Sequence, residues 1–259
     1  MKHTRIHLRT GAFFLSLAIL ILFSGCLTIK RTKETVHIPD KIVVFSFDDG
    51  PNAHGDTTAR LLEVLGKYEI CALFALLGEN VDCNPELAKR IHDEGHIIIN
   101  HGYSDKWAVL MGSGEFTRNL IRGEQSINSA LGKDLYPRLY RPQGGIYTLT
   151  QQKIWRGMGY TMIPGTAKAY DAIKKGEDRE KIIKKIVGVI AKQKGGIILL
   201  HDARDSHTRM EKHFITEPEG EFDRSWIPGM VEEIIILLQK QGYRLKGFDT
   251  AAVLGIKTL

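Results

Sequence analysis

Ile42–Pro51, IVVFSFDDGP, is the stretch whose reading decides the fold. Its β-branched and aromatic residues read as a buried strand, which stops at two adjacent carboxylates followed by Gly50-Pro51, a pair that cannot extend it. A buried carboxylate is costly unless it is paired or meets a metal ion, so Asp48 and Asp49 at the end of a core strand need a reason. The carboxyl ends of parallel strands are where α/β proteins keep their chemistry. A solvated reversal through Asp-Asp-Gly-Pro accounts for the same residues without any chemistry, and this stretch alone leaves both readings open.

Outward from that strand, apolar runs and breakers alternate along the chain. Asp56 is placed to cap a helix through Lys67, with Leu61, Leu62, Val64 and Leu65 on one side, and Ile70–Leu77 reads as a strand. Pro85 opens a helix to Asp93 that Gly95 ends, before a strand from His96 to Asn100. A helix over Glu115–Leu131 closes at Gly132, and a short extended piece follows at Leu139–Arg141. Helices at Thr148–Met158, Asp178–Lys192 and Pro228–Gln241 then alternate with strands at Tyr160–Ile163, Gly196–His201 and Tyr243–Lys246. Strands alternating with helices imply a mostly parallel α/β sheet, either open and doubly wound or closed into a barrel.

With 259 residues and ordinary globular composition, one domain is expected. Lys2, Arg5 and Arg9 precede an apolar run from Ala12 to Phe23 that is short for a membrane span and suits a signal peptide. The run closes in Leu22-Phe23-Ser24-Gly25-Cys26, which resembles the lipobox of bacterial lipoproteins although Phe23 stands where an aliphatic residue is usual. Residues 1–25 are therefore expected to be removed, with Cys26 lipidated and residues 26–40 a polar tether from a membrane anchor to a domain over 41–259. Losing three basic residues halves the net charge of +6, and no dense basic run with interleaved aromatics points to nucleic acid. Cys71 and Cys83 lack metal-site spacing, and Cys71 reads as a small buried hydrophobe in a strand rather than half of a disulfide.

Three further strand ends carry polar residues. After Asn100, His101 and Asp105 are four apart, and one helical turn would put both on one face within reach of a single ion. Arg141-Pro142-Gln143-Gly144-Gly145 joins an arginine that can fork onto a carboxylate to glycines whose backbone N–H groups can face a cavity. The strand at Gly196–His201 ends in His201-Asp202, which places an acid or base at the sheet's edge.

Taken together, SFDDGP at 46–51, His101–Asp105, RPQGG at 141–145 and ILLHD at 198–202 resemble, in order and spacing, the polysaccharide deacetylase family, the NodB-homology or carbohydrate esterase family 4 domain. The resemblance covers roughly residues 41–248 and implies a distorted (β/α) barrel with about seven parallel strands. It implies that Asp48 is the general base, oriented by Arg141, and His201 the general acid, with Asp171 as the candidate that tunes it. Asp49 and His101 would be metal ligands, with Asp105 where the family usually has a second histidine. Two carboxylates and one imidazole make a harder, more anionic set, so the implied single divalent ion is zinc, or cobalt or manganese. Gly144 would offer its N–H to the substrate oxygen, and Gln143 replaces a family proline. Trp107 offers an aromatic to a sugar, and the long connection Asp202–Trp226 brings His207, His213 and Trp226 to the same end.

The implied activity is removal of N-acetyl groups from an N-acetylglucosamine-containing polysaccharide, peptidoglycan or a chitin-like polymer, by an exported, membrane-anchored monomer. The same site suits an O-acetyl esterase. Asp105 and the altered surroundings of Asp171 also suit a degenerate domain that binds glycan without turnover.

Overall fold

In the computed structural model, which describes residues 29–31, 37–52, 55–203 and 223–256, the alternation seen in the sequence becomes strands β1 (Ile29–Arg31), β2 (Val43–Gly50), β3 (Leu73–Leu76), β4 (Ile97–Asn100), β5 (Leu139–Tyr140), β6 (Ile146–Thr148), β7 (Thr161–Met162), β8 (Ala167–Lys168) and β9 (Gly196–His201). The helices are α1 (Thr57–Lys67), α2 (Gly78–Cys83), α3 (Pro85–Asp93), α4 (Ser113–Leu131), α5 (Leu149–Gly157), α6 (Arg179–Gln193), α7 (Ile227–Lys240) and α8 (Thr250–Val253). Seven strands pair in parallel in the order β7-β5-β4-β3-β2-β9-β8, with fully buried β2 near the centre.

The sheet has to curl. Laid flat, six inter-strand steps would set edge strands β7 and β8 about 29 Å apart. Met162 and Ala167, on those two edges, are joined by a connection that reaches at most about 18 Å. The chain thus crosses between the two edges through Ile163–Thr166, and the product is the distorted seven-stranded barrel the resemblance implies.

Alternation divides each strand between two layers. Val43, Phe45, Phe47, Phe74, Ile98, Ile198 and Leu200 face outward against α1, α3, α6 and α7. Val44, Leu73, Ala75, Ile99, Leu139, Ile163 and Ile197 face inward with Leu254 and Ile256 and fill the barrel. The apolar filling sits early in the strands, so their carboxyl ends are left to Ser46, Asp48, Arg141 and His201.

Several local expectations change. Strands β3 and β5 are shorter than their apolar runs, and half-buried Cys71 precedes β3 rather than lying in it, its thiol donating to the Gly95 carbonyl at 3.2 Å. Cys71 and Cys83 are both free. Asp56 stands at the α1 cap position without a side-chain capping bond. Thr148 instead makes a full capping box with Gln151 at the start of α5. The strand expected at Tyr243–Lys246 reduces to a single bridge between Arg244 and Ile42, because the chain bends away at 246–248. Part of the expected tether pairs with the fold: β1 lies antiparallel to β6, Ile29 opposite Thr148. The signal segment and Cys26 lie outside the described residues, as do His207 and His213. No helix among the described residues is long and apolar enough to cross a membrane.

Candidate active site

Adjacent strand residues should face opposite sides of a sheet, yet Asp48 and Asp49 serve the same site. The β2–β3 register shifts between Asp48 and Gly50, and Asp49 takes a φ of 72°. A bulge of this kind re-aims a side chain. Asp49 Oδ1 thereby comes within 3.4 Å of His101 Nε2, with Asp48 Oδ2 3.9 Å from the same nitrogen. Asn80 on α2 donates to the Asp49 carbonyl at 2.7 Å and pins the bulge. Gly50 has no room for a side chain, since a Cβ would stand 2.6 Å from Asp202 Oδ2. That oxygen accepts the Thr58 hydroxyl at 2.5 Å, and burial pushes the Asp202 carboxyl up to about 7.

His101 donates Nδ1–H to the Arg141 carbonyl at 2.8 Å, because a carbonyl can only accept, and this leaves Nε2 facing the two carboxylates. Burial pulls the His101 pKa down, but Asp48 and Asp49 outweigh it and raise it. For Asp49 the order is similar: burial would raise its carboxyl, while the His101 hydrogen bond and the charges of His201, His101 and Arg224 hold it below the usual range. Two donors about 2.1 Å from one ion at a tetrahedral angle stand roughly 3.4 Å apart. Asp49 and His101 have that spacing, so their chemistry fits a divalent cation.

Asp105 does not reach the pair through a helical turn. The chain bends at Tyr103 and Ser104 because side-chain acceptors take its N–H groups: Asn100 Oδ1 that of Gly102 at 2.8 Å, and Asn119 Oδ1 that of Tyr103. Asp105 is half-buried and its charge acts on His101. Among the described residues no three His, Cys, Asp or Glu side chains converge into a ready-made metal centre.

Arg141 is buried across the mouth from β2. Its Nη1 donates to Asp48 Oδ1 and, at 2.6 Å, to the Ser46 hydroxyl, and its Nε donates to the Ile163 carbonyl at 2.9 Å. Gln143 links two loops: its Nε2 donates to the Ser104 carbonyl at 3.1 Å, and its Oε1 accepts from Tyr140. Gly144, at φ 69°, lies against Trp107, whose ring a Cβ there would meet at 2.9 Å. Trp107 remains 48% exposed beside it.

On the other side, both Asp171 carboxylate oxygens serve His201: Oδ2 accepts its backbone N–H at 2.8 Å and Oδ1 its Nδ1–H at 3.0 Å. Burial lowers the His201 pKa, but Asp171, with Asp49 and Asp48 behind it, raises it to about 10. The ring is held protonated, with Nε2–H as its second donor. Trp226, at the end of the long connection expected beside the site, is half-buried against the core and donates Nε1–H to the Asp223 carbonyl at 2.9 Å. Sequence reading did not foresee the links made by Arg224, Gln143, Asn100 and Asn119, which are contacts across 15 to 60 positions that no local pattern signals.

A Polysaccharide deacetylase family model matches residues 35–163. A chitooligosaccharide deacetylase of Bradyrhizobium sp. is 30% identical over 160 residues, 62% of this chain and 70% of the relative. The chain belongs to the polysaccharide deacetylase family. A peptidoglycan-N-acetylglucosamine deacetylase of Bacillus cereus is 30% identical over 165 residues, 64% of this chain, and the match spans 57% of that relative's length. Among solved structures, a family 4 acetyl xylan esterase from Clostridium thermocellum, in complex with a cobalt ion, is 25% identical with a TM-score of 0.63, covering 83% of this chain and 93% of the other.

Proposed function

We propose that the chain is a metal-dependent hydrolase that removes N-acetyl groups from N-acetylglucosamine-containing polysaccharide, with peptidoglycan as first substrate. One observation carries the reading: Asp48 and Asp49, turned to the same side by the bulge, meet His101 Nε2 while Arg141 holds Asp48. A base held by a guanidinium next to a pair of metal-type donors, with a protonated histidine opposite, is a hydrolytic arrangement. Neither a glycan binder nor a structural domain needs it.

Asp49 and His101 would hold the ion, with Asp105 as third ligand. When bound, one divalent cation supplies polarisation of the acetyl carbonyl and a more acidic water. Asp48, fixed by Arg141, takes the proton of the water whose oxygen bonds to the carbonyl carbon. The Gly144 N–H meets the charge growing on the carbonyl oxygen, a donor worth about 3 kcal/mol in comparable sites. As the carbon–nitrogen bond breaks, His201 Nε2–H protonates the departing amine, leaving acetate and a glucosamine unit. Trp107, exposed beside Gly144, offers a face for a sugar ring.

Export extends the proposal: the signal-like segment and Cys26 would place the domain on a lipid anchor facing the envelope, where such a polymer lies. Replacing Cys26 by Ala should release the protein from membranes.

Acetate release from peptidoglycan, chitooligosaccharides and acetylxylan, each with zinc, cobalt or manganese, tests the reading against an Asp48→Asn control. Release from the N-acetylated polymers that falls at least a hundredfold in the control supports it. Release from acetylxylan alone would make the protein an esterase. Silence on all three from folded, metal-loaded protein would leave a binder.

A further inference from the structure

We infer that Arg224 is a positioning residue for the Asp171–His201 pair: it holds the turn that presents the Asp171 carboxylate to the imidazole. The inference rests on the proposed function for its kinetic consequence only.

The turn begins at Tyr170, whose φ of 60° and ψ of 39° are left-handed and whose side chain is 64% exposed. A non-glycine residue keeps such a backbone where its surroundings fix it. Its exposed ring meets the Lys185 ammonium 4.6 Å from the ring centroid, and the backbone that follows is held separately. Immediately after it the chain makes a turn at Asp171–Ile173, in which Asp171 is fully buried with both carboxylate oxygens spent on His201.

Besides the turn's own bond from the Lys174 N–H to the Asp171 carbonyl at 2.9 Å, one side chain gathers its carbonyls. Arg224 Nη1 donates to the carbonyls of Asp171 at 2.9 Å and Lys174 at 3.2 Å, and Nη2 donates to that of Ala172 at 2.6 Å. Asp171 is thus held at two ends, by its carbonyl to Arg224 and by its carboxylate to His201. The guanidinium is itself fixed: it is buried, lies 5.7 Å above the Trp226 ring, and precedes the α7 residues Ile227 and Met230 in the outer core layer. Three carbonyls need a planar, multiply donating fork, which a lysine ammonium does not offer in that shape.

The test uses the full chain and two variants, Arg224→Lys and Arg224→Ala. The His201 Nδ1–H bonded to Asp171 should give a downfield proton resonance, identified by its absence in His201→Gln. In folded Arg224→Lys that resonance should move upfield or vanish, and kcat should fall about ten- to a hundredfold with KM unchanged, the scale of a small misplacement. In Arg224→Ala, millimolar ethylguanidinium should restore part of kcat. An unshifted resonance with kcat within about twofold of wild type would overturn the inference, as would a fall in thermal stability with neither readout moved. If the variants do not fold, unmutated protein decides: Arg224 Nη protons should exchange slowly with water, and fast exchange would overturn it. A displaced resonance with unchanged turnover would uphold the positioning and remove the pair from the catalytic reading, so the two failures can be told apart.

Discussion

At Asp49 a carboxylate with a φ of 72° does what strand geometry forbids, and the site depends on it. Aspartate tolerates left-handed backbone better than most residues, which makes an Asp at the bulge physically reasonable. His201 is the second residue to set apart. Its pKa of about 10 is the outcome of burial pulling down against Asp171 and the two site carboxylates pulling up more strongly. A raised acid stays protonated below its own pKa and loses the proton above it, so activity that needs the protonated ring is limited on the alkaline side. Asp171→Asn removes the largest raising influence. The alkaline limb of kcat should therefore move to lower pH, and profiles of the two proteins measured with the same metal check it.

Between elements, the loop after β4 is held by polar side chains rather than by regular structure. Asn100 ties it to α4 through the Leu120 carbonyl at 2.9 Å and to Tyr160 at 3.0 Å, and Gln143 staples Ser104 from the next strand end. Gln143 thus has a use of its own where the family has proline, because its amide reaches what a pyrrolidine ring cannot. Gln143→Ala should loosen the segment that carries Asp105 while leaving Asp49 and His101 in place. Second-layer changes of this type typically weaken metal affinity by about ten- to a hundredfold, which titration of the metal-free protein with zinc or cobalt measures. The strand ends themselves were legible as chemistry because buried apolar runs stopped at charges. The links between them were not, because each joins residues far apart in the chain.

For the molecule as a whole, acid is the condition to which the core is exposed through His96. Burial pushes its pKa from 6.5 to about 4, Arg90 adding to the effect and Glu94 opposing it. Its Nδ1 accepts the Ala72 N–H at 3.2 Å, and its ring lies against Phe74. The unfolded chain takes the proton first, so this contribution to stability is complete above pH 6.5 and is lost as pH falls toward 4. Between pH 7 and 5 the loss is on the order of 2 kcal/mol. His96→Asn, which keeps an acceptor and does not titrate, should flatten that part of the curve, read as urea midpoints at the two pH values. The sequence by itself determined the alternation of strands and helices, the four polar strand ends and the family, since burial of apolar runs and the turn chemistry of glycine and proline are local properties. Only the tertiary structure decided that Asp48 and Asp49 share a face, that the sheet curls through Ile163–Thr166, and that Arg224 stands behind Asp171. A bulge, a closure and a buried guanidinium each depend on residues brought together from distant parts of the chain, and no window along the sequence contains them.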